Sequence, residues 1–183
     1  MDITDLTPLE QTSLKRGIPI LGSAKGQWLL QFIKEHNPQQ ILELGTANGY
    51  SGCILGSEGG ELTTIEINPV MAKEAAGNFQ KNHIHSQIIV DDAVRIVQEL
   101  TRLKKYLRHF DLIFIDFAKK KYLSVLEPSL QLLKQGGYII ADNITMEGCQ
   151  DYKQAVLIHP QLQTELINIK DGLSCSKLIS RTK

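Results

Sequence analysis

Short apolar runs alternate with helix-length stretches along this chain, and that alternation restricts the fold more than any other feature. The runs are residues 41–44, 62–67, 87–90, 111–115 and 138–141. Each is nearly continuous in apolar residues, as strands buried on both faces of a parallel sheet require. The segments between them are long enough for crossover helices. Residues 24–35 place Trp28, Leu29, Phe32 and Ile33 at helical spacing, and Pro69 stands at the first-turn position of a helix over 70–82. Helices are also predicted over 93–107 and 122–133, the latter closed by Gly136-Gly137. Two further runs, 165–169 and 173–179, are joined through Asp171-Gly172 and read as an antiparallel pair. The expected fold is doubly wound α/β, a mostly parallel seven-stranded sheet with an antiparallel C-terminal strand. At 183 residues, one domain over 1–183 that begins with a short N-terminal segment, 1–20, accounts for the chain.

Composition narrows the function classes. Lys and Arg number 20 and Asp and Glu number 20, so the formal net charge is zero. That balance disfavours a polyanion partner held by bulk electrostatics. No apolar run approaches the roughly 20 residues of a membrane helix. The start, Met1-Asp2-Ile3-Thr4-Asp5, lacks the basic residues and apolar core of a secretion signal. Cys53, Cys149 and Cys175 form no CxxC pair, so neither a disulfide framework nor a zinc site is signalled. A soluble, cytoplasmic protein without a membrane partner is the expectation.

Ligands of doubly wound sheets bind at the carboxyl ends of the strands. After the first run comes Glu43-Leu44-Gly45-Thr46-Ala47-Asn48-Gly49-Tyr50-Ser51. Gly45 and Gly49 give this strand-to-helix turn the freedom to approach a ligand closely. The pattern is not the GxGxxG of dinucleotide folds, and Glu43 puts negative charge where a pyrophosphate would be repelled and a cationic ligand would not. Glu66 ends the second run, 21 residues beyond Gly45, where an acid can accept ribose hydroxyls. Asp91 and Asp92 follow the third run; Asp92 meets an adenine amino group or caps a helix, and the sequence leaves both open.

Asp116 follows the fourth run and Asp142-Asn143 the fifth. Two carboxylates and an amide oxygen at one spot suit Mg²⁺, or Ca²⁺ in a looser site; a helix cap and a turn are the alternative. Lys119 lies three residues beyond Asp116 and is a candidate base. Lys120 and Lys121 read as a solvated face. Glu165 either points to the same cluster or lies on the surface.

Together these segments resemble the class I S-adenosylmethionine-dependent, divalent-metal-dependent O-methyltransferases, most closely the catechol type and next the caffeoyl-CoA type. The resemblance spans residues 21–179. It rests on Gly22-Ser23-Ala24-Lys25-Gly26-Gln27, Leu42-Glu43-Leu44-Gly45 with Gly49-Tyr50-Ser51, and Ile65-Glu66-Ile67-Asn68-Pro69. Asp116 with Lys119 and Tyr122, Ala141-Asp142-Asn143, and Asp171-Gly172-Leu173 complete it. It implies a Rossmann-like fold in which Glu43, Gly45, Tyr50 and Ser51 line the methionine side of S-adenosylmethionine, with Ala47 and Gly49 also among the cofactor-binding residues. Glu66 would hold the ribose, with Ile67, Asp92, Ala93 and Asp116 completing the cofactor contacts. Asp116, Asp142 and Asn143 would bind Mg²⁺, or Ca²⁺ or Mn²⁺, with Lys119 as general base and Glu165 beside the substrate hydroxyl. The implied reaction is methyl transfer to a small catechol-like substrate, and a homodimer is compatible with the resemblance.

The departures are specific. Phe117 and Ala118 replace a histidine and a tryptophan of the catechol enzyme, Asp91 replaces the usual glycine, and Glu147 replaces a proline of the substrate wall. Two other readings stand beside the first. One is methylation of a hydroxylated tRNA base, for which Lys104, Lys105, Arg108 and residues 119–121 would supply a local patch. The other is a non-catalytic cofactor-binding protein.

Overall fold

The computed structural model describes residues 1–179. The chain forms two compact units, Met1–Asp91 and the remainder from Asp92. The first holds α1 (Thr7–Lys15), α2 (Ser23–His36), β1 (Gln40–Leu44), α3 (Tyr50–Leu55), β2 (Glu61–Glu66), α4 (Pro69–Lys81) and β3 (Ser86–Val90). Its strands run parallel in the order β3-β2-β1. Leu44 pairs with Ile65 and Glu66 with Val90, so the carboxyl ends of these strands are level. Ile41, Leu42 and Leu44 are fully buried, which is why β1 reads as an unbroken apolar run. Asn68 caps α4 by accepting from the Val70 and Met71 amides, with Pro69 in the first turn as expected.

The second unit holds α5 (Ala93–Arg102), β4 (Phe110–Ile115), α6 (Tyr122–Leu132), β5 (Leu133–Asp142), α7 (Gln150–Ile158), β6 (Leu162–Ile167) and β7 (Leu173–Leu178). β4 and β5 are parallel, and β7 is antiparallel to both β5 and β6. The seven strands are the mixed, mostly parallel sheet with an antiparallel C-terminal strand that the sequence predicts.

Several boundaries differ from the sequence reading. The helix expected over 93–107 ends at Arg102 and gives way to a 3₁₀ turn, Lys104–Tyr106. Gly136-Gly137 does not close α6. Phe110 pairs with Leu133 but Leu112 pairs with Tyr138, so the glycines lie in an irregularity of β5. There Gly136 has φ of 80°, and a Cβ on Gly137 would stand 2.9 Å from the Asp111 carbonyl oxygen. β6 begins at Leu162 rather than at 165 and ends at Ile167 rather than at 169, so the β6–β7 connection is longer than a tight turn. Two helices were not foreseen, α1 and α7. Among the described residues no helix is long and apolar enough to cross a membrane.

Candidate active site

In the first unit the turn after β1 is built from left-handed backbone. Gly45 has φ of 97°, Ala47 45° and Gly49 91°. A Cβ on Gly49 would stand 2.9 Å from the Phe79 ring, so packing as well as φ demands glycine there. Glu66 holds the turn from the neighbouring strand. One of its carboxylate oxygens accepts from the Ala47 amide at 2.8 Å and the other from the Asn68 amide at 2.8 Å. Ile67, directly after it, is 68 % exposed.

Glu43 lies at the core of this region with no exposed surface. The Ser51 hydroxyl donates to one carboxylate oxygen at 2.6 Å and the Thr64 hydroxyl to the other at 2.6 Å. The Thr46 and Thr64 hydroxyl oxygens are 2.5 Å apart. Since Thr64 spends its proton on Glu43, Thr46 is the donor between them. Burial and then the nearby Glu43 push the Cys53 thiol up to about 12. Burial also raises the Tyr50 hydroxyl, and Glu10 adds to it.

In the second unit Asp92 caps α5, accepting from the Val94 amide at 2.8 Å and the Arg95 amide at 3.2 Å. Its other oxygen accepts from Lys121 Nζ at 2.7 Å, and that ammonium holds the carboxyl below its ordinary range. Of the two roles left open for Asp92, the structure shows the cap. Ala93 is buried beside it.

Asp116 follows β4, and Lys119 Nζ donates to it at 2.6 Å and to the Tyr122 hydroxyl at 3.2 Å. Tyr122 is fully buried, stacked on Phe117 and edge-on to Tyr152. Asp142 ends β5 and is 2 % exposed. Asn143 takes a left-handed φ of 58°, its amide N–H donates to Asp142 at 2.7 Å and its side-chain nitrogen donates to Asp171 at 2.6 Å. Burial first, then Asp116 and Asp142 among nearby groups, raise the Tyr122 hydroxyl. The Cys149 thiol is raised by burial and feels Lys119, Asp142, Asp116 and Asp171. All four charged groups thus lie near enough to act on that one thiol.

Glu165 stands apart from that convergence. It is an exposed residue of β6 opposite Cys175, which in turn pairs with Ile140, two positions short of Asp142. Among the described residues no three His, Cys, Asp or Glu side chains gather as a metal site. The basic patch is partly neutralised: Lys119 pairs with Asp116 and Lys121 with Asp92. Sequence reasoning missed Ser13, whose hydroxyl accepts from Asn48 Nδ2 at 2.7 Å across 35 positions. No local pattern carries a contact of that separation.

The O-methyltransferase family model matches residues 6–177. Catechol O-methyltransferase B of Danio rerio is 32% identical over 148 residues, 74% of this chain and 54% of that protein. Catechol O-methyltransferase of Mus musculus is 30% identical over 168 residues, 84% of this chain and 63% of that protein. The chain thus spans between about half and two thirds of the length of these relatives. An O-methyltransferase from Bacillus cereus, solved in complex with SAH, has the same fold, with a TM-score of 0.85 at 22% identity. That superposition covers 97% of this chain and 91% of the other.

Proposed function

The chain belongs to the O-methyltransferase family, and on that premise we propose that it moves the methyl group of S-adenosylmethionine to one hydroxyl of a small vicinal-dihydroxy compound with the help of a divalent cation. What supports this reading is that Asp116 and Asp142 stand at the carboxyl ends of the paired strands β4 and β5, with Lys119 bound to Asp116 and Asn143 bound to Asp142. The donor set, two carboxylates and one amide oxygen, is all hard oxygen and suits Mg²⁺, with Mn²⁺ or Ca²⁺ as substitutes. Asn143 favours the same fit, because its amide nitrogen is spent on Asp171 and its oxygen is left for another partner.

In this reading Glu43 supplies negative potential at the turn that receives the cationic sulfonium. Glu66 keeps lone pairs for the ribose hydroxyls while its two oxygens hold the Ala47 and Asn68 amides. A divalent cation, when bound, supplies the Lewis acidity that makes a chelated hydroxyl easier to deprotonate. Lys119, as the neutral amine, would accept the proton of the attacking hydroxyl, and the Tyr122 hydroxyl 3.2 Å from Nζ helps to position it. The substrate oxygen then forms its bond to the methyl carbon as the carbon–sulfur bond breaks, leaving a neutral thioether. The exposed, off-row Glu165 is given no part in these steps. Methylation of a tRNA base is the weaker reading, since two of the patch lysines, Lys119 and Lys121, are already paired with acids.

The test is labelled methyl transfer from S-adenosylmethionine to a panel of catechols, with Mg²⁺ and with EDTA. Product with Mg²⁺ that disappears with EDTA is expected. Equal product in EDTA would remove the cation from the reading. Product only with tRNA, weakening steeply with salt, would replace the substrate class.

A further inference from the structure

We propose that α1 is a positioning element for the 45–49 turn, acting through the Ser13–Asn48 hydrogen bond. The inference rests on the reading of that turn as the cofactor site. A five-residue turn with three left-handed residues keeps its shape only when its surroundings hold it. Glu66 holds the Ala47 amide, Thr64 holds the Thr46 hydroxyl, and Asn78 Nδ2 on α4 donates to the Asn48 carbonyl at 2.8 Å. The Asn48 side chain is held from α1: its Nδ2 donates to Ser13 Oγ at 2.7 Å.

This bond has a defined direction and no slack. Ser13 donates its own proton to the Leu9 carbonyl at 2.7 Å, so its oxygen can only accept from Asn48. Ser13 is 0 % exposed and Asn48 1 %, so water cannot take over either role. The Asn48 side-chain oxygen is buried with no partner. Without Ser13 the amide would be unmatched at both ends, which favours withdrawal of Asn48 and relaxation of the turn.

α1 is itself anchored by elements that flank the turn. Arg16 forms a two-pronged ion pair with Glu74 of α4, both distances 2.8 Å. Glu10 accepts from the Ser23 amide at 2.8 Å, capping α2 in place of Gly22, which has no side chain to do so. The helix is thereby tied to α2 and α4, and Ser13 passes that fixed position on to the turn.

The experiment measures SAH affinity by calorimetry and deuterium uptake of residues 45–50 in ligand-free protein, for wild type, Ser13→Ala, Asn48→Ala and the double variant. Ser13→Ala is expected to weaken SAH about tenfold, to speed exchange at 45–50, and to raise the KM for S-adenosylmethionine by more than it lowers kcat. In the Asn48→Ala background the Ser13 change should add little. Wild-type affinity and exchange in Ser13→Ala, or full additivity in the double variant, would overturn the proposal. If Ser13→Ala does not fold, Arg16→Ala decides, because it loosens α1 from the surface without leaving a buried group unmatched. About two- to threefold weaker SAH with faster exchange at 45–50 supports the inference, and no change in either overturns it. Wild type that fails to bind SAH would sink the cofactor reading itself; wild type that binds beside an unchanged Ser13→Ala would sink only the role of α1.

Discussion

The first unit and the second both carry acids at or near the carboxyl ends of their strands, but they satisfy those acids differently. Glu43 and Glu66 are held by hydroxyls and backbone amides, neutral donors fixed by the fold. Asp116 is met by the Lys119 ammonium, and Asp142 by the amide of its strained neighbour Asn143. Donors fixed by the fold hold the first pair in place, which would suit a site that receives its ligand whole. Asp116 instead lies beside an ammonium, which would suit the proton transfer and cation binding proposed above.

The largest effect that would sharpen this contrast is at Lys119. Lys119→Met should lower kcat by about a hundredfold or more, the range for loss of a positioned proton acceptor. SAH affinity should stay within about twofold of wild type. Single-turnover rates beside SAH calorimetry would check both. A comparable loss in SAH binding would show that the two turns are not separate devices.

The converse variant is Glu66→Ala. It removes the group that holds the Ala47 and Asn68 amides and that would hold the ribose. SAH should bind at least about tenfold more weakly, as for loss of hydrogen bonds to a charged acceptor. Mn²⁺ affinity, followed by its paramagnetic resonance, should be unaffected. Unchanged SAH affinity would break the comparison at its first term. A smaller effect belongs to Asp171→Asn, which disturbs the partner that orients the Asn143 amide. Mn²⁺ should bind about tenfold more weakly, the low end for loss of an outer partner, with SAH affinity unmoved. Wild-type Mn²⁺ affinity in this variant would leave Asn143 without an oriented role.

What the sequence made legible follows from burial. β1 and β4 lie buried on both faces, so their apolar runs declare themselves. β6 is exposed at Gln163, Glu165 and Leu166, so its true start at Leu162 is invisible in any run. α1 buries little besides Ser13, and α7 only Tyr152 and Val156, so neither shows a stripe wide enough to read. The candidate site was legible where a residue ends a strand, as Glu66 and Asp142 do, or directly follows one, as Asp116 does. It was illegible where a role comes from a distant partner: Ser13 for Asn48, and Lys121 for the cap residue Asp92.

Asp92 supplies the smallest and most controlled test, because one carboxylate there does both kinds of work. One oxygen caps α5 through neutral amides and the other pairs with Lys121 at 2.7 Å. Asp92→Asn keeps an oxygen for the cap and removes the charge; Asp92→Ala removes both. Both partners are substantially exposed, 31% for Asp92 and 49% for Lys121, so the charged half should contribute under about 1 kcal/mol after screening. The cap should contribute about 1 kcal/mol. The carboxyl is held below its ordinary range in the folded chain, so the pair's contribution is present above that range and is lost as pH falls through the lowered value. Thermal melts should therefore show wild type slightly above Asp92→Asn at neutral pH, and the two converging in strong acid, with Asp92→Ala below Asp92→Asn throughout. A gap between wild type and Asp92→Asn that persists in acid would mean the ammonium is not what lowers the carboxyl. Neutral donors would then govern this acid as they govern Glu66, and the contrast between the two units would narrow to the Asp116–Lys119 pair alone.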